Sequence, residues 1–412
     1  MQELGLHPAT PLAVATSGGA DSMALLRLLA QWGRDVTALT YDHGLRAEAR
    51  HEAAQVASWC SDIGVSHHIL TWEGDRPTAD IQQAAREARY HDLEAWCVAH
   101  DRQHLLLAHH QSDQAETVLM RLIRGSGVNG LAAMKKTSPA LTANEGLWLH
   151  RPLLSVPKSR LVATLEDMKQ PWIEDPSNVD ERYLRARVRV MLAQFEDEGL
   201  NPLRLSLTAD RMARVRDYFE DVLAHWFKTH TILDDAGFLC LPLSVLHNEH
   251  PELRGRLVSR FLQALSGQRH PPSFDAVLRV DEALQGDVTG LTSYGCRLWC
   301  EGERLYVARE YDKIKDETTL DVDGHVYWDG RFHIYRHGGD GTLNVSALGE
   351  EGWLALLERF DEAREKDIPH PVRLTLPAFW RDGKIVAVPH LGYASSNVGD
   401  MEYRFEPRRP II

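Results

Sequence analysis

Two rhythms of apolar and polar residues alternate over the first 110 positions. The runs 11–16, 36–41 and 105–108 are nearly unbroken apolar or β-branched stretches, and together with 65–72 they read as strands. Between them the period changes. Met23, Leu25, Leu26, Leu28 and Leu29 recur at helical spacing, and the same rhythm covers 47–63 and 79–100. Strands alternating with helices predict an α/β fold, a parallel sheet with helices on both faces. In such sheets ligands sit beyond the carboxyl ends of the strands. The residues to inspect are therefore 17–22, 42–46 and 109–116.

Past about residue 201 the pattern changes. Helical spacing over 209–228, 243–265 and 274–284 predicts a helical connector, 201–288. From about 289 onward short strands dominate, with one helical stretch at 353–366. Asp329-Gly330 and Asp382-Gly383 each separate two β-rich runs, a strong short-range hairpin signal. The expected organisation is a catalytic domain over 1–200, the connector, and a small α+β domain over 289–412. There is no internal repeat and no low-complexity tract.

The first strand runs into Ser17-Gly18-Gly19-Ala20-Asp21-Ser22 and then directly into a helix. A strand, a glycine turn and a helix make a phosphate site, because backbone N–H groups and the helix dipole converge on one point. Gly18 and Gly19 let an anion approach the backbone. Ser17 and Ser22 can donate hydroxyls to phosphate oxygens, and Asp21 is the candidate ligand for Mg²⁺. The loop has no lysine and is not the GxxxxGK[ST] type. An ordinary βα turn would explain the glycines, but not the two serines and the aspartate.

Composition narrows the picture further. The chain has 412 residues, 43% of them hydrophobic, and a formal net charge of −13. No apolar run is long enough to span a membrane, and no basic-then-apolar leader opens the chain, so a cytoplasmic protein is expected. Residues 121–216 carry 16 Lys and Arg against 11 Asp and Glu, a locally basic middle on an acidic protein. That suits a selective polyanion partner; a mixed-charge surface is the plainer alternative. Five cysteines form no CxxC pair and read as buried thiols.

The loop resembles the SGGxDS element of the N-type ATP pyrophosphatases, the PP-loop enzymes. Further along, Asp42-His43-Gly44-Leu45-Arg46 is similar to the DHGLR element of the tRNA(Ile)-lysidine synthases. Residues 108–117, Ala-His-His-Gln-Ser-Asp-Gln-Ala-Glu-Thr, are similar to their AHHxDDQAET. Arg86, Arg89 and Tyr90 match ARxxRY. Arg124-Gly125-Ser126-Gly127 with Gly130-Leu131, Arg151-Pro152-Leu153-Leu154 and 174–178 match RGxGxxGL, RPLL and EDxSN. These cover about residues 10–190 in the family's order. Two departures stand out. Ser112 replaces the first aspartate of DDQAET, and Ala186 replaces the asparagine of YxRNxxR.

The resemblance implies a Rossmann-like PP-loop fold and an ATP-dependent ligase. It would adenylate the C2 oxygen of the wobble cytidine in CAU-anticodon tRNA(Ile). The ε-amine of L-lysine would then displace AMP. ATP and Mg²⁺ are the implied cofactors, with Ser17, Gly18, Gly19, Ala20, Asp21 and Ser22 around the nucleotide. Asp21, Asp42, Asp113 and Glu116 are the candidate catalytic carboxylates, the last three holding lysine's amine. Each could instead be an acid at a helix start satisfying the dipole, Asp42 least of the three because it ends a strand. Arg86, Arg89, Arg124, Arg185 and Arg189 are candidates for substrate and tRNA. Arg182, Arg185, Arg187 and Arg189 fall on one predicted helix, with Arg185 and Arg189 on one face, a candidate phosphate strip. Pairing with Glu196–Glu198 is the alternative for them. His109 and His110 read equally well as strand-end core histidines. Oligomeric state is left open, a homodimer included. Other PP-loop adenylating enzymes and a nucleotide-binding regulator with a degraded site are the competing functions.

Overall fold

A computed structural model describes the chain except residues 1–4, 45–47, 74–80, 141–145, 175–183, 287, 289 and 412. Two compact units divide it, Met1–Tyr218 and Phe219–Ile412. The first is built from β1 (Leu12–Ala15), α1 (Ala20–Gln31), β2 (Val36–Asp42), α2 (Ala49–Asp62), β3 (Ser66–Thr71) and α3 (Ile81–Ala99). There follow β4 (His104–Leu106), α4 (Gln111–Ile123), α5 (Val128–Leu131), β5 (Thr137–Pro139), β6 (Trp148–His150), α6 (Lys158–Asp167) and α7 (Leu184–Gln194). The helix α8 (Pro202–His230) runs across the division.

The sheet has the order β3-β2-β1-β4-β6-β5, parallel except for the β5–β6 pair. Period-two alternation sorts its side chains into two cores. Leu12, Val14, Val36, Ala38 and Leu106 pack with α1, α2 and α6, whereas Ala13, Leu39, Leu105 and Leu149 pack with Tyr90, Leu93 and Cys97 of α3. Helices therefore cover both faces, as the alternating pattern predicts, and the strand ends point toward one rim. The antiparallel edge strand β5 is not legible in the sequence; it is three residues long and has no periodicity of its own.

In the second unit, helices Pro251–Ser266 and Phe274–Leu284 cover one face of a five-stranded antiparallel sheet. Two of its strands, Ile232–Asp234 and Phe238–Pro242, lie inside the stretch expected to be helical. An Asp-Asp-Ala-Gly turn joins them, and Gly237 supplies φ +82°. The expected 243–265 helix breaks in two, Leu243–His247 and Pro251–Ser266, because Pro251 begins a new helix. Both Asp-Gly hairpins form. Asp329 and Gly330 have φ +49° and +63°, and Asp382 and Gly383 have +50° and +71°. Successive positive φ values suit the twist of a tight hairpin.

Candidate active site

Gly19 caps α1 and offers no side chain, so the first-turn N–H groups keep no side-chain partner. Gly18 takes φ +86°, and a Cβ there would meet Ile173 Cδ1 at 2.7 Å and Val56 Cγ2 at 2.8 Å. The loop is thus wedged against neighbouring chain, with the Gly18 carbonyl accepting from Ile173 N at 2.9 Å. Ser22 is turned inward. Its hydroxyl donates to Gly19 O at 3.0 Å and accepts from Ser17 N at 3.2 Å, so it shapes the turn. Ser17 is exposed and stands 3.3 Å, Oγ to Oγ, from Ser22. Ala20 is buried beneath the loop.

Asp21 follows in the first turn of α1. Its Oδ1 is buried and meets no hydrogen-bond partner, while Oδ2 lies 3.5 Å from His110 Nε2 and 4.0 Å from Lys158 Nζ. A buried carboxylate oxygen without a donor fits a hard cation such as Mg²⁺, while the uncapped helix N–H groups beside it suit the anion that cation would screen. Among the described residues no group of three His, Cys, Asp or Glu gathers for a metal, here or elsewhere, so Asp21 is a single carboxylate ligand.

His110 joins the 17–22 loop to α4. As N-cap of that helix it accepts from Ser112 N through Nδ1 at 3.2 Å, which keeps the ring proton on Nε2, facing Asp21. Burial opposes its protonation, but Asp21 and Asp113 outweigh burial and raise the imidazole above its ordinary value. Asp113 answers the cap by accepting from His110 N at 2.9 Å. Burial works against the Asp113 charge as well. His110, Arg185 and the backbone N–H overcome it and hold the carboxyl below its ordinary value.

The arginines of α7 complete the centre. Arg185 and Arg189 share one face, as their spacing predicts, and that face meets α4. Arg185 Nη2 donates to Asp113 Oδ1 at 2.5 Å and its Nε donates to Glu116 Oε2. Arg189 Nε donates to Glu116 Oε1 at 2.6 Å. The acids that take these arginines are thus Asp113 and Glu116 of the site, not Glu196–Glu198. Arg187 is exposed on another face.

Asp42 ends β2, buried, and accepts from Gly44 N at 2.8 Å. Arg86 and Arg89 both lie over the Tyr90 ring, at 5.1 and 5.4 Å. Arg124 caps the far end of α4, about 16 Å along the helix from Asp113 by helical rise, and is not drawn into this centre. Arg46, Arg182 and the 175–178 part of the EDxSN match lie outside the described residues. His110, Tyr90 and Arg151 are motif positions to which sequence reasoning assigned no role at the site. Their signal is positional: His110 and Arg151 follow β4 and β6 at the carboxyl rim, where α/β ligands collect.

Burial pushes the thiols of Cys60 up to about 11 and of Cys97 and Cys296 up to about 12, far from a reactive thiolate.

A parallel sheet with an uncapped, glycine-turned helix start at its rim is the geometry of an α/β anion-binding site. A family profile described as a PP-loop domain matches residues 2–196. The tRNA(Ile)-lysidine synthase of Wolbachia pipientis wMel is 32% identical over 399 residues, covering 94% of this chain and 90% of that protein. That of Ruegeria pomeroyi is 34% identical over 411 residues, covering 97% and 93%. The chain belongs to the tRNA(Ile)-lysidine synthase family. Among solved structures, the U34-tRNA thiolase NcsA of Methanococcus maripaludis with its 4Fe-4S cluster aligns over 51% of this chain and 74% of its own. The TM-score is 0.44 at 18% identity, too loose to carry anything about chemistry.

Proposed function

We propose that the chain ligates L-lysine to C2 of the wobble cytidine in CAU-anticodon tRNA(Ile), converting an AUG reader into an AUA reader. The observation that carries this reading is His110. It bridges Asp21 of the pyrophosphate loop and Asp113 of α4, at 3.5 and 3.6 Å. One rim therefore joins a triphosphate cradle to a charged cluster fit for a second and a third substrate. The free N–H groups of α1 grip the β,γ-phosphates of ATP, and the C2 oxygen attacks the α-phosphorus, releasing diphosphate. The lysine ε-amine, after losing a proton, then attacks C2 and expels AMP. Asp21 is the residue that would hold Mg²⁺, which screens phosphate charge during this transfer.

The contacts that Asp113 and Glu116 make bear on one expected role. Every carboxylate oxygen of the pair already accepts a hydrogen bond. They act by holding Arg185 and Arg189, which leaves Asp42 as the carboxylate available to a substrate ammonium. No helix among the described residues is long and apolar enough to cross a membrane, which suits a cytoplasmic enzyme meeting tRNA.

The test is AMP release with defined tRNAs, with and without lysine. Release that requires both lysine and CAU-anticodon tRNA supports the reading; ATP binding with no such release points to a regulator. Asp21→Ala should abolish adenylation while far-ultraviolet circular dichroism stays unchanged. Near wild-type AMP formation by that variant overturns the assignment of the loop.

A further inference from the structure

The PP-loop accounts for one anion. A second concentration of positive charge lies at the same rim, and among its described arginines Arg185 alone is held by carboxylates, Asp113 and Glu116. Arg86 and Arg89 of α3 lie over Tyr90, with Arg86 Nη2 3.5 Å from the phenol oxygen. Arg151, directly after β6, also reaches the Tyr90 hydroxyl and acts electrostatically on Arg86. Arg185 of α7 comes close enough to act on both Tyr90 and His109. Four guanidiniums from three parts of the chain thus converge on one phenol.

Their compensation is incomplete. Arg151 is only 8% exposed, and its Nη1 donates to neutral acceptors, Lys135 O and Ser138 Oγ, both at 3.1 Å. Its Nε meets no partner, nor does that of Arg89. Asp92, the nearby acid of α3, is engaged by the Tyr41 hydroxyl at 2.9 Å. Asp113 and Glu116 both engage Arg185, so the unmet donors are those of Arg89 and Arg151. The neighbouring His109 carries a buried Nδ1 without a partner. Burial and the surrounding Arg151, Arg86 and Arg185 drive its imidazole down to about 3, so it adds no charge of its own. Buried donors with no acceptor, crowded by like charges, raise the energy of the free site and lower that of a site filled by an anion.

We propose that Arg86, Arg89, Arg151 and Arg185, arranged around Tyr90, form a second anion site that binds a phosphodiester of the RNA strand. The inference rests on the reading of the chain as an RNA-modifying enzyme, and it names the part of that substrate the rim would grip. A phosphodiester fits better than a nucleotide's terminal phosphates because the donors are spread over three separate elements. Such a spread can follow a backbone, whereas the glycine turn converges on a point. One gripped linkage would also hold the flanking base in register with the ATP loop.

The probe is a hairpin RNA with a CAU loop, titrated onto the full chain at several salt concentrations. Arg86 is exposed, so Arg86→Gln should fold as the parent does. It should weaken hairpin binding roughly tenfold near 0.1 M salt and lower the slope of log K against log salt by about 0.7–1. Arg151→Gln should do the same, and ATP affinity measured without RNA should not change for either. A hairpin with one neutral methylphosphonate linkage should bind the parent as weakly as the normal hairpin binds Arg86→Gln. That modified hairpin should lose nothing further on Arg86→Gln.

Unchanged salt slopes overturn the proposal. So does a parallel fall in ATP affinity, which would assign these arginines to the nucleotide. Lysine-dependent AMP release by the parent is measured on the same hairpin. If that release fails while the slopes fall as expected, the second anion site stands and the lysine chemistry does not.

Discussion

Buried arginines occur in both units, and they are buried in opposite ways. In the second unit Arg336 is fully buried and each donor has a carbonyl. Its Nε donates to Val398 O at 2.8 Å, Nη1 to Gly341 O at 2.5 Å and Nη2 to Asp340 O at 3.0 Å. Arg309 grips both oxygens of Asp329 at 3.0 Å and also reaches Gly295 O and Lys313 O. Even Arg331, whose two Nη atoms find no acceptor, keeps Nε on Asp329 and lies 5.0 Å over the Phe332 ring. In the first unit Arg89 and Arg151 face other cations and hold unpartnered donors. Arg336 and Arg309, which serve the fold, are surrounded by acceptors, and Arg331 keeps an acidic partner although two of its donors go unmet. An arginine that serves a ligand keeps donors in reserve, and the fold bears that energetic cost.

The comparison fails most visibly if Arg336 proves dispensable. Arg336→Met should destabilise the second unit by on the order of 3–5 kcal/mol, because it strands several buried carbonyls at once. Hydrogen exchange in the strands Phe332–His337 and Asp400–Phe405 should accelerate. Unaltered protection there would show that these carbonyls need no donor.

A smaller effect is expected where carboxylates hold arginines. Glu116→Gln and Arg185→Ala should each impair turnover, and together they should do little more than either alone. The coupling between them should be about 1–3 kcal/mol. If Glu116→Gln instead raises the KM for lysine with kcat intact, Glu116 binds the amine directly and is no positioning residue.

The crowded histidine gives a pH signature. His109 titrates near 3 in the folded chain, with burial the main cause, and near ~6.5 when unfolded. The unfolded chain thus binds the proton first. Its contribution to stability is complete above ~6.5 and is lost as pH falls toward 3, by at most ~1.4 kcal/mol per pH unit. Urea midpoints taken from pH ~7 to ~5 should fall less steeply for His109→Gln than for the parent. Parallel curves would remove the claim that the rim disfavours an added proton.

The smallest change is expected at Ser112. The residue sits in the first turn of α4, partly exposed, where an acid meets the positive end of the helix dipole. Ser112→Asp restores the family residue and should stabilise by ~0.3–1 kcal/mol with activity retained. An inactive variant would mean that the rim around α4 is built differently here from the rest of the family.

What the residues alone determined is local. The βα alternation, the Ser17–Ser22 turn and both Asp-Gly hairpins follow from side-chain period and from residues that accept positive φ, and each is decided within a few positions. The helix carrying Arg185 and Arg189, and their common face, belong to the same class. The partners of that face do not. Arg185 lies 72 positions from Asp113, and Arg151 stands beside Arg86 only because β6 joins the sheet next to β4. The sequence offered Glu196–Glu198 as nearer acids. The structure chose Asp113 and Glu116, because packing α7 against α4 buries these carboxylates and strengthens their attraction for the part-exposed arginines. Likewise the β-hairpin at 232–242, hidden in a stretch with helical neighbours, pairs with Arg304–Arg309. Strand pairing is settled by distant partners, and a five-residue run carries too little pattern to announce them.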